Sequence, residues 1–383
     1  MSGKDLTSVN AGSSRSTERG RAAPKVVHVI DNLEPGGAQH ILIALTQGDP
    51  EAAVCVLHAK EEEAELHRQF RSVDVVARRK SALAKILFGL ARRILRHRSR
   101  AFVNAHLEAS TVFLCLLRRL IDFRLVVTVH ATQRQWPRWF RAVFRRIIFI
   151  ADHVIVESHG SYDETRALGI ADERLTLIPI GTMRSARECN EVTADIRLEL
   201  GIPPGIPIFL NIARMVAGKG QIHLVHAMAK VPDAVAVIVG YGPEEENLRA
   251  EATRLGVQER VRFTGRRTDL NNFYAAARAF VMPCLDESMG VVIYDALTFQ
   301  LPVVAYASGS IGEIVTDGEN GFLLPRDPDA LATALLRVLG NETSFRFQPP
   351  EAYSAATMVE RHKTLYGLLA GKWFGAAAGR HHA

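Results

Sequence analysis

The stretch that decides the fold runs from Ala279 to Tyr306 and reads AFVMPCLDESMGVVIYDALTFQLPVVAY. An apolar run ends at Pro283, a short polar loop follows, and a helical run then leads into a second apolar run. This order predicts strand, loop, helix and strand. Two carboxylates, Glu287 on the loop and Asp295 on the helix, stand eight residues apart. In a parallel α/β sheet, such a loop and helix start face the ligand crevice at the carboxyl edge.

The same alternation of short apolar runs and helical patterns extends over most of the chain. It predicts two doubly wound α/β sheets, one in each half. In the first half the predicted strands are 25–30, 53–57, 73–77, 102–105, 125–129, 153–157 and 175–180. In the second half they are 208–212, 234–239 and 261–263, followed by the strands of the opening stretch.

Two cations follow the first predicted strand of the second half. Arg214 and Lys219 stand five residues apart in ARMVAGKG, across a loop that leads into a helix. Both charged groups can therefore converge on one diphosphate at the carboxyl edge of the sheet. Considered alone, the two cations are equally compatible with ordinary surface charge.

Taken together, these motifs resemble a known family. The spacing E-x7-D running into A-x5-PVVA, and R-x4-KG, resemble the signature of retaining glycosyltransferases of the GT-B fold, glycosyltransferase family 4. The resemblance covers the chain from Lys25 to about Tyr366. It implies the fold class α/β, GT-B, with two Rossmann-like domains that face a central cleft.

The resemblance also implies a division of the chain. The predicted segments are a disordered tail at 1–23, an acceptor-side domain at 24–182, a linker at 183–206, a nucleotide-sugar-binding domain at 207–345, a helix at 346–370 that crosses back to the first domain, and a loose tail at 371–383. Glycine, serine and charged residues dominate the first of these segments, which is typical of disorder.

Site residues follow from the same resemblance. The predicted catalytic residues are Glu287, His130, Arg214 and Lys219, with His130 closing the pattern T-x-H at the end of a strand. The predicted donor-binding residues are Gly36, Gly37, Arg214, Lys219, Gly240, Gly242, Glu287, Ser288, Met289, Gly290, Val291 and Asp295. Gly36 and Gly37 are expected to let the backbone turn sharply and approach a ligand.

Three positions depart from the family pattern. Asp295 stands where a glutamate is usual, Gln300 where a glycine is common, and Ile180 where a polar residue usually precedes Gly181. The contact of Asp295 with a ribose is therefore expected to be weaker or to pass through water.

The resemblance predicts transfer of a sugar from a nucleotide-sugar donor to a glycan or lipid-linked acceptor, with retention of configuration, in polysaccharide or glycolipid assembly. Arg214 and Lys219 would stabilise the leaving diphosphate, so no metal or other cofactor is expected. The alternatives are a sugar epimerase of the same fold and a catalytically silent subunit that binds a membrane or a partner. The chain contains neither G-x-G-x-x-G nor a P-loop motif, which disfavours dehydrogenases and P-loop kinases.

Composition limits the class of protein further. The 383 residues are 48% hydrophobic and 23% charged, as in a globular protein of two domains. No apolar run is long enough to span a bilayer, and the N-terminus lacks the apolar core of a signal peptide, so we expect a cytoplasmic protein. The four cysteines form no C-x-x-C pair.

Positive charge is concentrated in one region of the first half. Between Arg78 and Arg146 there are seventeen basic residues and two acidic ones. Segments 81–100 and 132–149 mix these arginines with Leu, Ile, Trp and Phe, which favours peripheral attachment to an anionic membrane surface at the inner face. The alternative is that the apolar stripes are core and the arginines a solvated face. No nucleic-acid-binding motif accompanies the charge.

Overall fold

The fold was analysed in a computed structural model. The structure describes residues 25–34, 36–49, 51–58, 70, 73–77, 83–97, 101–130, 136, 138–182, 192–285, 287, 290–340, 344–348 and 354–374. The predicted tail at 1–23, most of the predicted helix at 61–70, and the predicted site residues Ser288 and Met289 lie outside these ranges.

Two separate parallel sheets form the framework of the described chain. The first has seven strands in the order β3-β2-β1-β4-β5-β6-β7, and the second has six in the order β10-β9-β8-β11-β12-β13. The strands of the first sheet are β1 (Lys25–Ile30), β2 (Ala53–His58), β3 (Val73–Ala77), β4 (Ala101–His106), β5 (Arg124–Val129), β6 (His153–Val156) and β7 (Leu175–Leu177). Those of the second are β8 (Ile208–Ile212), β9 (Val235–Val239), β10 (Val261–Phe263), β11 (Ala279–Met282), β12 (Val303–Tyr306) and β13 (Gly321–Leu324).

Helices cover both faces of each sheet. In chain order they are α1 (Gly37–Gly48), α2 (Leu83–His97), α3 (Glu108–Arg118), α4 (Arg138–Ile147), α5 (His159–Arg166), α6 (Ile196–Glu199), α7 (Gln221–Met228), α8 (Glu245–Arg254), α9 (Leu270–Ala276), α10 (Val291–Thr298), α11 (Ile311–Ile314), α12 (Pro328–Leu339) and α13 (Ala355–Phe374). Single 3-10 turns lie at Ile148–Ile150, Asp172–Arg174, Ala217–Lys219 and Gln258–Arg260. Among the described residues, no helix has both the length and the hydrophobicity that crossing a bilayer requires.

The strands form where apolar residues follow one another almost without a break, because a parallel strand covered on both faces buries every side chain. All five residues of β8 and of β9 are buried, as are all four of β11 and of β12. The predicted strands are confirmed to within one or two residues, except that β7 ends at Leu177 instead of Ile180. Ile180 itself is buried in an apolar cluster with residues of α13, so no polar side chain is available there.

Strand order places the ligand-binding edge of each sheet. In both sheets the order reverses beside the first strand, between β1 and β4 and between β8 and β11. Loops that leave the two central strands at such a switch point diverge to opposite faces and leave a crevice at the carboxyl edge. The loops after β8 and β11 carry Arg214, Lys219 and Glu287, so the sequence placed them where the topology requires.

Helix α13 joins the C-terminal end of the chain to the first sheet. Its residues Met358, Tyr366 and Leu369 are buried with Val26 and Phe102 of that sheet. The predicted crossing helix is therefore present. It begins at Ala355 instead of residue 346, and it does not end at residue 370 but continues to Phe374, four residues into the predicted loose tail.

Aromatic contacts account for this longer helix. Trp373 packs edge-on against Phe102 at 5.6 Å, and the guanidinium of Arg124 lies 5.8 Å from the Trp373 ring centroid. Both contacts stabilise the last turn of α13.

The structure accounts for Gln300, one of the three departures from the family pattern. It follows α10 with φ of 56°, in the left-handed region that favours glycine. Leu301 N donates to Ala296 O at 3.0 Å, which is the hydrogen bond that closes this type of helix end. An exposed glutamine therefore occupies a position at which a side chain costs conformational energy.

We predict that Gln300→Gly raises the free energy of unfolding by about 1 kcal/mol, since glycine removes the left-handed penalty of roughly 1–2 kcal/mol and costs some chain entropy. Urea unfolding of the two proteins measures the difference. Arg337→Gly, in the last turn of α12, is the control and should lower the free energy of unfolding by about 1 kcal/mol or more, because it also removes the contact of the Arg337 guanidinium with the Phe322 ring at 4.3 Å. A lower stability for Gln300→Gly would contradict the assignment.

Candidate active site

The loops after β8 and β11 pack backbone to backbone. Gly220, at the start of α7, has φ of 65°, and a Cβ there would lie 2.0 Å from Pro283 O. Only glycine fits this position, which explains the glycine that follows Lys219. Leu285 N donates to Gly218 O at 2.9 Å and fixes the same approach. This contact brings Lys219 beside Glu287.

Lys219 and Glu287 form an ion pair at the carboxyl edge of the second sheet. Lys219 Nζ donates to Glu287 Oε2 at 2.7 Å, and both side chains are largely buried. Burial by itself would lower the pKa of Lys219, but the negative charge of Glu287 and its hydrogen bond outweigh burial and raise that pKa. Lys219 therefore keeps its positive charge at neutral pH.

Two glycines hold the Glu287 backbone in place. A Cβ on Gly309 would lie 1.7 Å from Glu287 O, to which Ser310 N also donates at 3.0 Å. Gly290, with φ of 60°, begins α10, and its N–H points at Glu287 Oε1 at 3.4 Å. The Glu287 carboxylate thus lies between the ammonium of Lys219 and the N-terminus of a helix.

Arg214 lies on the same loop but is exposed. Its positive charge opposes the rise in the pKa of Lys219. Lys219 and Glu287 are therefore brought together as expected, and the convergence of Arg214 with them on one anion remains a prediction. Their catalytic and binding roles remain predictions.

Asp295 lies where the two domains meet. Thr182 Oγ1, just beyond the first sheet, donates a hydrogen bond to Asp295 Oδ1, and both residues are buried. Val291, at the start of the same helix, packs against the cluster that α13 forms with the first sheet. The predicted contact of Asp295 with a ribose remains a prediction, and in this structure Thr182 occupies that oxygen.

Glu313 makes a second contact between the domains. Its carboxylate oxygens accept hydrogen bonds from His159 N at 2.7 Å and Gly160 N at 3.0 Å, at the N-terminus of α5. A carboxylate is stabilised there by free N–H groups and the helix dipole. Ser158, the N-cap of α5, completes this turn with a capping box.

The glycines predicted to contact the donor are not all required by the backbone for the same structural reason. A Cβ on Gly240 would lie 2.0 Å from Ala213 O, and one on Gly242 would lie 2.2 Å from Met215 O. These glycines therefore pack their loop against the loop of Arg214, whatever they contribute to a nucleotide site. The backbone bends at Gly36, directly before α1, but its φ of −169° is one that any residue adopts, so this bend does not require a glycine.

His130 belongs to a buried chain of polar groups at the edge of the first sheet. His28 Nδ1 lies 2.9 Å from His106 Nε2, His106 Nδ1 lies 2.8 Å from His130 Nε2, and His130 Nδ1 lies 2.9 Å from Glu157 Oε1. Both ring nitrogens of His130 therefore face protein groups. The predicted position of His130 beside the donor sugar remains a prediction. Because both nitrogens face protein groups, a ring carbon edge would be the part of His130 that faces the sugar.

Asp31 is a residue that sequence reasoning did not single out. It follows β1 and accepts hydrogen bonds from Ala109 N at 2.9 Å and Ser110 N at 2.6 Å. It thereby caps α3, whose own N-cap residue, Leu107, is held at φ of 72° without a side-chain cap. Burial raises the pKa of Asp31 to about 6 against these hydrogen bonds. Its place directly after a central strand was the available signal.

Two family models match the chain, and together they account for most of it. The model described as Glycosyltransferase Family 4 matches residues 26–183, and the one described as Glycosyl transferases group 1 matches residues 192–354. The chain belongs to the family 4 glycosyltransferases.

Individual relatives match this family 4 chain over part of their length. A lipopolysaccharide core biosynthesis glycosyltransferase of Rhizobium meliloti is 34% identical over 155 residues, which is 40% of this chain and 46% of the relative. A GDP-mannose-dependent α-(1-6)-phosphatidylinositol monomannoside mannosyltransferase of Mycolicibacterium smegmatis is 33% identical over 238 residues, or 57% of this chain and 62% of that protein. The matches thus span about half to three fifths of these relatives.

Solved structures show the GT-B fold. Anabaena HepE in complex with UDP-glucose superposes with a TM-score of 0.73 at 21% identity, over 92% of this chain and all of that one. The apo form of WaaB, a lipopolysaccharide outer core galactosyltransferase, superposes with a TM-score of 0.69 at 15% identity, over 90% and 99%. The predicted GT-B fold is confirmed.

We predict that the family 4 chain loses stability as the pH falls below 6.5. Burial lowers the pKa of His28 to about 3 and those of His153 and His362 to about 4, and also lowers that of His106. Between the ordinary value near 6.5 and these values, the unfolded chain binds protons that the folded chain does not. The free energy of unfolding therefore decreases as the pH falls, by up to about 1.4 kcal/mol per pH unit for each histidine.

Urea unfolding at pH 7.5, 6.5 and 5.5 measures this slope. His362→Asn should make it shallower, whereas His159→Asn, at an exposed position, should not. Asp31 acts in the opposite sense, because its raised pKa favours folding at low pH, but it is one group against four. Stability that is constant down to pH 5.5 would show that the buried histidines titrate normally.

Proposed function

We propose that the chain is a retaining glycosyltransferase that moves a sugar from a nucleotide-sugar donor to a glycan or lipid-linked acceptor. The observation that carries this proposal is the Lys219–Glu287 pair at the switch-point edge of the second sheet, 2.7 Å between charged atoms. Few arrangements place a charged lysine, a carboxylate and a helix N-terminus together at the edge where α/β proteins bind nucleotides.

In this proposal the cations act on the leaving group. When the bond between the anomeric carbon and the diphosphate breaks, negative charge grows on the phosphate oxygens. Lys219 and Arg214 stabilise that charge in the transition state, so the chemistry needs no metal. Glu287 binds hydroxyls of the transferred sugar, and Asp295 binds the ribose once Thr182 releases it. The acceptor attacks from the face that the diphosphate leaves, which retains the configuration.

The relatives indicate the class of donor and acceptor. HepE has been solved with UDP and with UDP-glucose, and the mycobacterial relative is GDP-mannose-dependent. We propose a UDP- or GDP-sugar as donor. The names of the relatives refer to lipopolysaccharide core and to phosphatidylinositol mannosides, so we propose cell-surface polysaccharide or glycolipid assembly as the context.

The proposed acceptor-side domain carries a surface suited to an anionic membrane. Helices α2, α3 and α4 lie side by side on one face of the first sheet. Their inner stripes are core, so the expectation that Trp136, Phe140 and Phe144 face a bilayer is wrong. The exposed large apolar side chains of this surface are Phe88, Leu95, Leu116, Leu120, Trp139 and Phe149.

Exposed arginines lie on or directly beside the same three helices. Arg92, Arg119, Arg138, Arg145 and Arg146 are exposed, and Trp139 among them is 66% exposed. Basic residues with protruding aromatic and aliphatic side chains suit the headgroup zone of an anionic bilayer. We propose that this face places the protein peripherally at the inner face of the cytoplasmic membrane, where a lipid-linked acceptor is reached.

We predict that Lys219→Ala and Glu287→Ala abolish sugar transfer and leave the fold intact. Lys219→Ala should also weaken nucleoside diphosphate binding about 10- to 100-fold, because a charged hydrogen bond contributes about 1.5–3 kcal/mol. A thermal shift panel of nucleotide sugars identifies the donor, and calorimetry with the corresponding diphosphate measures binding.

Lys230→Ala is the matched control, because Lys230 also forms a 2.6 Å ion pair, with Asp329, in the same domain. It should bind and transfer normally. Full activity of Lys219→Ala or Glu287→Ala would contradict the proposal. Absence of nucleotide binding by the unmodified chain would favour the silent subunit, and free sugar released without acceptor would favour an epimerase.

We predict that neutralising Arg92, Arg138, Arg145 and Arg146 to glutamine lowers co-sedimentation with phosphatidylserine vesicles at least about tenfold, since each arginine near an anionic surface contributes about 1 kcal/mol. The control changes four exposed arginines elsewhere, Arg266, Arg326, Arg346 and Arg361, and alters net charge equally. Equal losses in both variants would reduce the effect to net charge. No loss of co-sedimentation in the first variant would contradict the proposed membrane-binding surface.

A further inference from the structure

A chain of three imidazoles and one carboxylate crosses the middle of the first sheet. His28 lies on β1, His106 ends β4, and His130 and Glu157 directly follow β5 and β6. These four strands are consecutive neighbours in the sheet. All four side chains are buried, and the three links between them are 2.9, 2.8 and 2.9 Å long.

The contacts between these four side chains run in one direction. At each link the Nδ1 atom of one residue faces the next group along, which is Nε2 of His106, Nε2 of His130 and finally Oε1 of Glu157. A neutral imidazole carries one N–H and one acceptor nitrogen. Two proton arrangements are therefore compatible with the three distances. Either each Nδ1–H donates toward an ionised Glu157, or a protonated Glu157 donates and every ring carries its proton on Nε2.

The first arrangement is favoured by the chemistry at the Glu157 end. Glu157 immediately precedes the N-cap of α5, where a helix favours negative charge. Among the described residues, His130 Nδ1 and both oxygens of Glu157 are buried without a hydrogen bond of regular geometry, so the 2.9 Å contact between Nδ1 and Oε1 is the pairing that can satisfy them.

We infer that Glu157 is a positioning residue for His130, and that it fixes His130, His106 and His28 as Nδ1–H tautomers in one directed chain. The ring of His130 is thereby held neutral and in one orientation at the edge of the cleft. Its catalytic consequence rests on the proposed function, while the tautomers themselves do not.

The chain also connects to the contact between the domains. Glu157 is followed by Ser158, and the next two backbone N–H groups hold Glu313 of the second domain. On the other side, His28 lies 6.3 Å from the Tyr366 ring of α13, and Tyr366 Oη accepts a hydrogen bond from Asn104. The orientation of His130 is thus built into the same elements that join the two domains.

Histidine tautomers are measured directly with ¹⁵N-histidine-labelled protein and long-range ¹H–¹⁵N NMR at pH 7.5, with each resonance assigned by substitution. We expect Nδ1–H tautomers for His28, His106 and His130 in the unmodified protein. Glu157→Gln, which removes the charge at nearly constant volume, should give a mixture of tautomers. Asp163→Asn, an exposed charge loss on α5, should leave the spectrum unchanged.

Nε2–H tautomers or a charged His130 in the unmodified protein would overturn the inference, and this measurement needs no variant to fold. So would an unchanged His130 spectrum in Glu157→Gln. In the transfer assay, Glu157→Gln should lower kcat about tenfold or more with little change in the KM for the donor, and Glu157→Asp should restore part of the rate. If the tautomers are as expected but the unmodified protein transfers no sugar, the proposed function fails and this inference stands.

Discussion

The structure of the candidate site depends on how closely two backbone segments approach each other at the carboxyl edge of the second sheet. Gly220 and Pro283 come so near that a Cβ would overlap a carbonyl oxygen, and Gly309 makes an equally close contact with Glu287. These contacts set the distance between Lys219 and Glu287 and leave little freedom in it. Lys219 lies at the carboxyl edge of a parallel sheet, and the buried carboxylate of Glu287 sustains its positive charge. A diphosphate could bind there by taking the place of that carboxylate.

The first domain contributes to the same cleft through contacts that lie far apart in sequence. Asp295 meets Thr182, Glu313 meets the start of α5, and α13 returns from the second domain to lie against the first sheet. Gly181 approaches Ser354 so closely that any side chain would overlap the Ser354 carbonyl. This contact, with the hydrogen bond from Ala355 N to Thr182 O, ties the end of the first domain to the start of α13.

The framework could be predicted from the sequence because short apolar runs and glycine-containing loops are local signals. They located strands such as β8 and β11 and the loops that carry Lys219 and Glu287, and the family resemblance then assigned the fold. Short elements such as α9, α11 and β13 were not predicted, since their few residues carry little periodicity. The end of α13 was misplaced because it depends on Phe102 and Arg124, far away in the chain.

The histidine chain was equally out of reach, because its links join residues 78 and 24 positions apart. A histidine at the end of a strand is visible in the sequence, but its neighbours on adjacent strands are fixed only by strand order. The same holds for Gln300, whose departure from the family pattern became interpretable only when its positive φ was known.

The most direct test of the central claim is a crystal structure of the chain with a bound nucleoside diphosphate. Our account predicts phosphate oxygens at about 3 Å from Lys219 Nζ, with the Arg214 guanidinium turned toward them and Glu287 released toward the sugar position. A diphosphate bound away from Lys219, with the Lys219–Glu287 pair unchanged, would contradict it.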